Sequence, residues 1–284
     1  LSLPSPTEGS PLEVDRSMIT LKNKAQISRL RDAGKITGEA LLAGGEAAKP
    51  GVSTHQIDTV IRRYIEKCGA KPTFLGYGGF PGSACISVND EVIHGIPSVD
   101  KILKEGDIVK IDVGAFYNGY TGDSAATFAV GEVSEEAARL ISVTKNSFWR
   151  GIAAATVNGG RIGDIGAAID GYVTENGFST VRRYVGHGVG RELHEEPDVP
   201  NYGRPGRGQR LLRGMTIAVE PMVCTGTYEV REQANGWTVE TADGGLAAHY
   251  EHSIAFTEDG IMILDAIDVP DFVEYGAAPL TFDR

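Results

Sequence analysis

Three acidic residues stand inside apolar, strand-like runs: Asp112 in IVKIDVG, Glu220 in TIAVEPMV and Glu251 in HYEHSIAF. An ionised carboxylate buried in such a run without a partner is costly. A chain that carries three of them must fold so that compensating charge reaches each one. Two further residues complete a set: Asp123 in GYTGDSAATF and His187 in the Gly-rich GHGVG. Four carboxylates and one imidazole are a mostly hard, oxygen-rich donor set. It suits divalent first-row ions better than a structural Cys-rich zinc site would. These five residues point to a two-metal site that activates water.

Local pattern brings the first two acids together. Asp112 and Asp123 flank Asn118-Gly119, the strongest short hairpin signal because both turn positions want φ > 0. With a two-residue loop, Tyr117 opposes Tyr120 and Asp112 opposes Ala125. Asp123, two residues from Ala125, then points to the same face, on a diagonal of about 7–8 Å. Carboxylates so placed can converge on ions about 3.5–4 Å apart. A longer loop or a bulge would shift this register. Pro221 removes a ladder donor directly after Glu220 and marks where pairing ends.

The rest of the chain alternates helix and strand signals. A helical period begins at Lys24 through Ile27, Leu30, Ile36, Ala40 and Leu41, and fades near Pro50-Gly51. A second helix follows, with Ser53 or Thr54 as N-cap and Gly69 just past its end. Its apolar face, Ile57, Ile61, Tyr64 and Ile65, returns further along the chain as Ile165, Ile169, Tyr172 and Val173, each displaced by the same interval. Gly51 and Gly69 have counterparts at that interval in Gly159 and Gly177. Two amphipathic helices that end in glycine look alike without common origin, but six positions in register favour an internal duplication. Strand-like segments occupy 85–88, 108–116, 125–130, 216–223, 237–241 and 249–256. These features predict an α+β layer structure with a largely antiparallel sheet, and a site between two halves.

Composition narrows the function. At 284 residues, 41% hydrophobic and 23% charged, the chain can bury a full core. A net charge of −11 argues against a general binder of DNA or of anionic membranes. Cys68, Cys85 and Cys224 are odd in number and widely spaced, which fits a reducing compartment. The first 26 residues show no secretory apolar region, and no run approaches the roughly 18–20 residues of a membrane span. A cytoplasmic protein is expected. Residues 1–17 read as a loosely ordered arm, 18–264 as one catalytic domain with halves joined near 131–135, and 265–284 as an acidic tail that wraps or stays loose.

The motifs FLGYGGFPGSACISVNDEVIHGIPS, GDIVKIDVG, GYTGDSAATF, GHGVGRELHEEP, GMTIAVEPMV and WTVETADGGLAAHYEHS occur in one order. Over roughly residues 19–263 the chain resembles the type I methionine aminopeptidases. The resemblance implies the pseudo-twofold pita-bread fold and removal of N-terminal methionine from peptides and nascent chains by a metal-bridged hydroxide, with preference for a small second residue. It implies two divalent ions (Co, Mn, Fe or Zn) on Asp112, Asp123, His187, Glu220 and Glu251. Asp123 and Glu251 would bridge both ions, Asp112 would hold one, and His187 and Glu220 the other. His94 and His194 would face the substrate, and Glu220 would move a proton. Tyr77, Phe80, Cys85 and Trp237 would form the methionine slot, with Leu193 where many members carry an aromatic. Gly78 and Thr121 depart from the pattern, standing where many bacterial members have histidine.

The interval between Glu220 and Glu251 is short and leaves no room for the insertion of the type II enzymes. An aminopeptidase P or prolidase would share the ligand set, but usually carries a large N-terminal domain. An inactive peptide-binding protein of the same fold would typically have lost ligands. A monomer is expected. Arg204, Arg207, Arg210 and Arg213 recur at every third position, either as a solvated loop or as a docking element for the ribosome.

Overall fold

The structure, a computed structural model, describes residues 18–157 and 159–282. The arm expected at 1–17 lies outside the described residues. Two helices come first, α1 (Lys24–Ala47) and α2 (Thr54–Lys67). Each starts on a capping box. The side chains of Asn23 and Ser53 accept from the backbone N–H of Gln26 and Gln56, whose own side chains accept from the cap N–H. Such a cap is worth about 1 kcal/mol. Gly69 follows α2 at φ 73°, the left-handed conformation that ends a helix cleanly.

The strands of the first half are β1 (Lys71–Pro72), β2 (Ala84–Val88), β3 (Glu91–Ile93), β4 (Ile108–Tyr117) and β5 (Tyr120–Ala129). Helices α3 (Glu135–Ala154) and α4 (Ile162–Glu175) follow. Then come β6 (Ser179–Thr180), β7 (Gly186–Gly188), β8 (Glu195–Val199), β9 (Thr216–Val219) and β10 (Met222–Cys224). The last strands are β11 (Val230–Glu232), β12 (Val239–Thr241), β13 (Ala247–His249), β14 (Glu251–Phe256), β15 (Gly260–Ile263) and β16 (Phe272–Glu274). The main sheet runs β1-β4-β5-β14-β9-β7-β8, with β2 beside β4 and with β15 and β16 extending from β14. Its pairings are antiparallel. No described helix is long and apolar enough to cross a membrane.

The β4–β5 hairpin has the register that a two-residue turn dictates. Tyr117 pairs Tyr120 and Asp112 pairs Ala125. Asn118 and Gly119 take φ of 50° and 82°, as a tight hairpin turn requires. The period of two then sorts β4 into faces. Val109, Ile111 and Val113 pack in one cluster with Ile57, Ile61 and Ile65 of α2, all six fully buried. Burial of each such side chain contributes about 1.5–3 kcal/mol. Asp112 is thereby turned to the opposite face.

The second half repeats this arrangement. α2 and α4 are equal in length, and their first residues are offset along the chain by the same interval as their last. Ile165, Ile169 and Val173 are as completely buried as Ile57, Ile61 and Ile65. Gly177 matches Gly69 in hand, at φ 77°. The helix entries differ. Gly51 is left-handed while Gly159 is not, and Arg161 stands at the cap, where its N–H donates to Asp164 Oδ2 at 2.6 Å.

Two expected strands are interrupted. The run 216–223 breaks at Glu220-Pro221, and 249–256 breaks at Tyr250. At each break the chain leaves one sheet for another: β9 and β14 belong to the main sheet, β10 and β13 to a three-stranded one. Glu220 therefore sits in a gap between strands. The expected strand at 237–241 shortens to β12, because Asn235 Oδ1 accepts from the N–H of both Trp237 and Thr238 in a turn.

Helix α1 packs closely on β5. A Cβ on Gly122 would lie 2.7 Å from Gly34 Cα, and one on Gly34 would lie 2.5 Å from the Leu264 carbonyl oxygen. Gly34→Ala is expected to lower stability by about 1–3 kcal/mol, read as a lower urea midpoint at unchanged slope. The segment after β15 is held to the body. β16 pairs β15, and the Phe282 backbone is read at two points by Asn146, whose Oδ1 accepts at 2.9 Å and whose Nδ2 donates at 3.3 Å. The Lys145 ammonium lies 4.0 Å above the Phe282 ring.

Candidate metal centre

Strand pairing assembles the acids. Ala125 opposes Asp112 on one side and Glu251 on the other, so Asp112, Ala125 and Glu251 form one row across β4, β5 and β14. Asp123 lies two residues away on the same face of β5. The sequence placed Asp112 and Asp123 correctly relative to each other. The third carboxylate in the row depends on a pairing between distant segments. Ser253, on β14, donates to the Asp123 carbonyl oxygen at 2.8 Å and fixes that pairing.

His187, on β7, reaches the same cavity. Its Nδ1 donates to the Gly188 carbonyl at 2.9 Å, which leaves Nε2 as a lone pair. That Nε2 lies 3.5 Å from Asp123 Oδ2 and 3.6 Å from Glu220 Oε1. Burial lowers the His187 pKa, so the ring is neutral. A neutral lone pair and two carboxylate oxygens do not attract one another; a cation among them reconciles all three. Ligand atoms of Asp123, His187 and Glu251 all lie within 4.8 Å of one another.

The acids themselves show the same conflict. Asp112 Oδ1, Asp123 Oδ1 and Glu251 Oε1 are buried without a hydrogen-bond partner. Burial pushes Asp112 up to about 7. Asp123, Glu220 and Glu251 are pushed well up, first by burial and then by neighbouring carboxylates. Orphaned oxygens, raised carboxyl groups and an aimed imidazole together fit divalent cations.

An apolar slot opens on the same cavity. Its walls include Tyr77, Phe80, Cys85, Leu193 and Trp237, as expected, together with Phe74, which the sequence reading missed. Phe74 belongs to the same aromatic-rich FLGYGGF run and was visible there only as one more hydrophobe. Phe80 and Trp237 meet edge to face at 5.1 Å, a favourable aromatic geometry.

His94 and His194 line the cavity as well. His94 has φ 57°, a strained value for a non-glycine residue. It is held there because Ile86 N–H donates to Gly95 O at 2.8 Å and Gly95 N–H donates to Ser87 Oγ at 2.9 Å. Burial brings His94 down to about 4 and His194 to about 2, with the neighbouring His187 and His94 adding to the latter. Both rings are neutral at pH 7. Tyr77 Oη meets His194 Nδ1 at 2.9 Å. The loop beneath His194 is clamped by Glu195, which accepts from Arg191 N–H at 2.8 Å and from the Lys22 ammonium at 2.5 Å.

One more residue reaches the acids. His249 Nε2 lies 3.7 Å from Glu220 Oε2 and 3.8 Å from Glu251 Oε2. The sequence signal was present, two residues before Glu251. The strand expected over 249–256 has a period of two, which already puts His249 and Glu251 on one face.

Similarity to known proteins agrees with this geometry. The sequence profile of metallopeptidase family M24 matches residues 28–258. A methionine aminopeptidase of Clostridium acetobutylicum is 56% identical over 247 residues, 87% of this chain and 98% of its own length. The crystal structure of a Thermotoga maritima methionine aminopeptidase superposes with a TM-score of 0.85 at 44% identity, covering 87% of this chain and 99% of that one. A Pyrococcus furiosus prolidase, 22% identical, shares the fold with a TM-score of 0.72 over 90% of this chain and 68% of its own. The curled antiparallel sheet with its helices is the pita-bread fold, and its buried acid–imidazole cavity brings together groups that could hold a metal ion. The chain belongs to metallopeptidase family M24, in its type I methionine aminopeptidase branch.

Proposed function

We propose that this protein removes the N-terminal methionine from peptides and nascent chains whose second residue is small. Two divalent ions, drawn from Co, Mn, Fe and Zn, would be held by Asp112, Asp123, His187, Glu220 and Glu251. The observation that carries this reading is the union of two features in one cavity, the acid–imidazole cluster and the Phe80–Trp237 slot. The slot takes the methionine side chain, whose flexible thioether suits aromatic and sulfur-lined walls.

When bound, the ions supply Lewis-acid polarisation and a water activated near neutral pH. The chain's own residues do the rest. With the Tyr77 hydroxyl donating to Nδ1, His194 carries its proton on Nε2, free to donate to the scissile carbonyl oxygen. His94, neutral and fixed in place by its backbone, holds the scissile amide. Glu220 takes a proton from the attacking water and passes it to the leaving amine. The acidic end of the cavity at Asp112 receives the free α-amine, which limits cleavage to the first residue.

Release of free methionine from Met-Ala-Ser tests the reading. Metal-stripped protein is expected to be inactive, to recover with Co or Mn, and to stay inactive as Asp112→Ala. Faster cleavage of Xaa-Pro peptides than of Met-Ala peptides would assign the chain to the prolidase chemistry instead. Trp237→Ala is expected to lower kcat/KM for Met-Ala-Ser roughly tenfold to a hundredfold, about 1–3 kcal/mol, with metal binding by calorimetry unchanged. Arg204, Arg207, Arg210 and Arg213 are all exposed, as either a solvated loop or a docking element for the ribosome requires. Unchanged co-sedimentation with ribosomes at low salt after replacing all four would refute docking.

A further inference from the structure

Glu220 turns its two oxygens to two different imidazoles. Oε1 lies 3.6 Å from His187 Nε2, and Oε2 lies 3.7 Å from His249 Nε2. His249 Nε2 is also 3.8 Å from Glu251 Oε2. These separations are too long for hydrogen bonds. They suit atoms that share one ion: first-row metals bind nitrogen and oxygen at about 2.0–2.2 Å, so two ligands at a tetrahedral or somewhat wider angle stand about 3.4–3.8 Å apart. His249 is 1% exposed, and neither of its ring nitrogens has a hydrogen-bond partner. A buried imidazole with both nitrogens unpaired is a costly arrangement unless something binds it. Ligand atoms of Glu220, His249 and Glu251 lie within 4.8 Å of one another, as do those of Asp123, His187 and Glu251.

We propose that His249 is a further metal ligand, and that Glu220, His249 and Glu251 form a cation position of their own on the far side of Glu220 from His187. The proposal rests on the metallopeptidase reading above, since it shares two carboxylates with that centre. The imidazole selects a first-row divalent ion over Mg or Ca. His249 also lines a second cavity, behind β5, with Ser124, Thr127, Lys145 and His252. Glu220 and Glu251 line the substrate cavity instead, so the proposed position lies between the two. An ion held there engages Oε2 of Glu220, the carboxylate that carries the proton in the proposed reaction. Filling the position therefore inhibits: activity rises with the first ions and falls with excess metal.

The test uses the full chain labelled with 15N-histidine, stripped of metal and titrated with Zn while the ring nitrogens are followed by NMR. Metal-bound shifts at Nε2 of both His187 and His249 are expected, the two arriving at different Zn concentrations. A shift at His187 alone, up to saturation, overturns the proposal and leaves the centre intact. No shift at either histidine overturns both. Calorimetry on His249→Gln is expected to lose one equivalent of bound ion, and its activity to lose the fall at excess metal. An unchanged stoichiometry in the folded variant refutes the site. If that variant does not fold, the titration of the parent still decides.

Discussion

Replacing Asp123 with alanine is expected to lower kcat/KM for methionine release by at least about a thousandfold, about 4 kcal/mol of transition-state stabilisation, while leaving the metal-free protein at least as stable as the parent. The two effects have one cause. Asp123 is 3% exposed, its Oδ1 has no partner, and it faces Asp112, Glu220 and Glu251. With ions bound it would be a ligand; without them it is an acid crowded by acids, and its removal relieves repulsion and desolvation. Peptide cleavage and urea unfolding of the stripped protein read the two halves of the expectation. Retention of a tenth or more of the parent's activity would remove Asp123 from the centre. A large loss of metal-free stability would mean that the acid has a structural partner.

Metal addition is expected to raise the melting temperature strongly, and more so at neutral than at acid pH. At a free ion concentration a hundred times the dissociation constant, binding contributes about 2.7 kcal/mol. For a chain of this size that is about 5–10 °C. The sign of the pH effect follows from the raised carboxyl groups. Asp112 is pushed up to about 7 by burial, so in the stripped protein it keeps its proton well above the pH at which the unfolded chain loses it. Its contribution to metal-free stability therefore falls as pH rises from about 4 to about 7. Ions bind the deprotonated form, so their affinity rises over the same window. Scanning calorimetry at pH 5.5 and 7.5, with and without Mn, measures both. An equal shift at the two pH values would show that Asp112 is already ionised in the stripped protein.

The parts legible in the sequence were those fixed by local rules. Asn118-Gly119 set the hairpin register, and the register put Asp112 and Asp123 on one face. The face of α2 recurred at α4 because both helices bury the same spacing of β-branched residues. Long-range pairing was not legible. Nothing local says that Glu251 meets Ala125, and the gap holding Glu220 arises because the chain changes sheets there. His249 was within reach of local rules, since a continuous strand over 249–256 puts it on the face of Glu251; that both approach Glu220 depends on the change of sheet at Tyr250. The fate of the tail was open because Phe282 finds its place through Asn146 and Lys145, which are far away in the chain.

Within the main sheet the join between the two halves is narrow. β5 and β14 pair at only two positions, Glu251 with Ala125 and His252 with Ser124. Asp112 and Asp123 approach it from one half, and His187, Glu220 and Glu251 from the other. This seam of the main sheet is thus the place where like charges gather. In the stripped protein it is a fault line, where repulsion among the acids is expected to speed amide exchange. Ions bound across it would turn that line into a weld, and amide exchange at Ser124, Ala125 and His252 would slow more than anywhere else in the sheet.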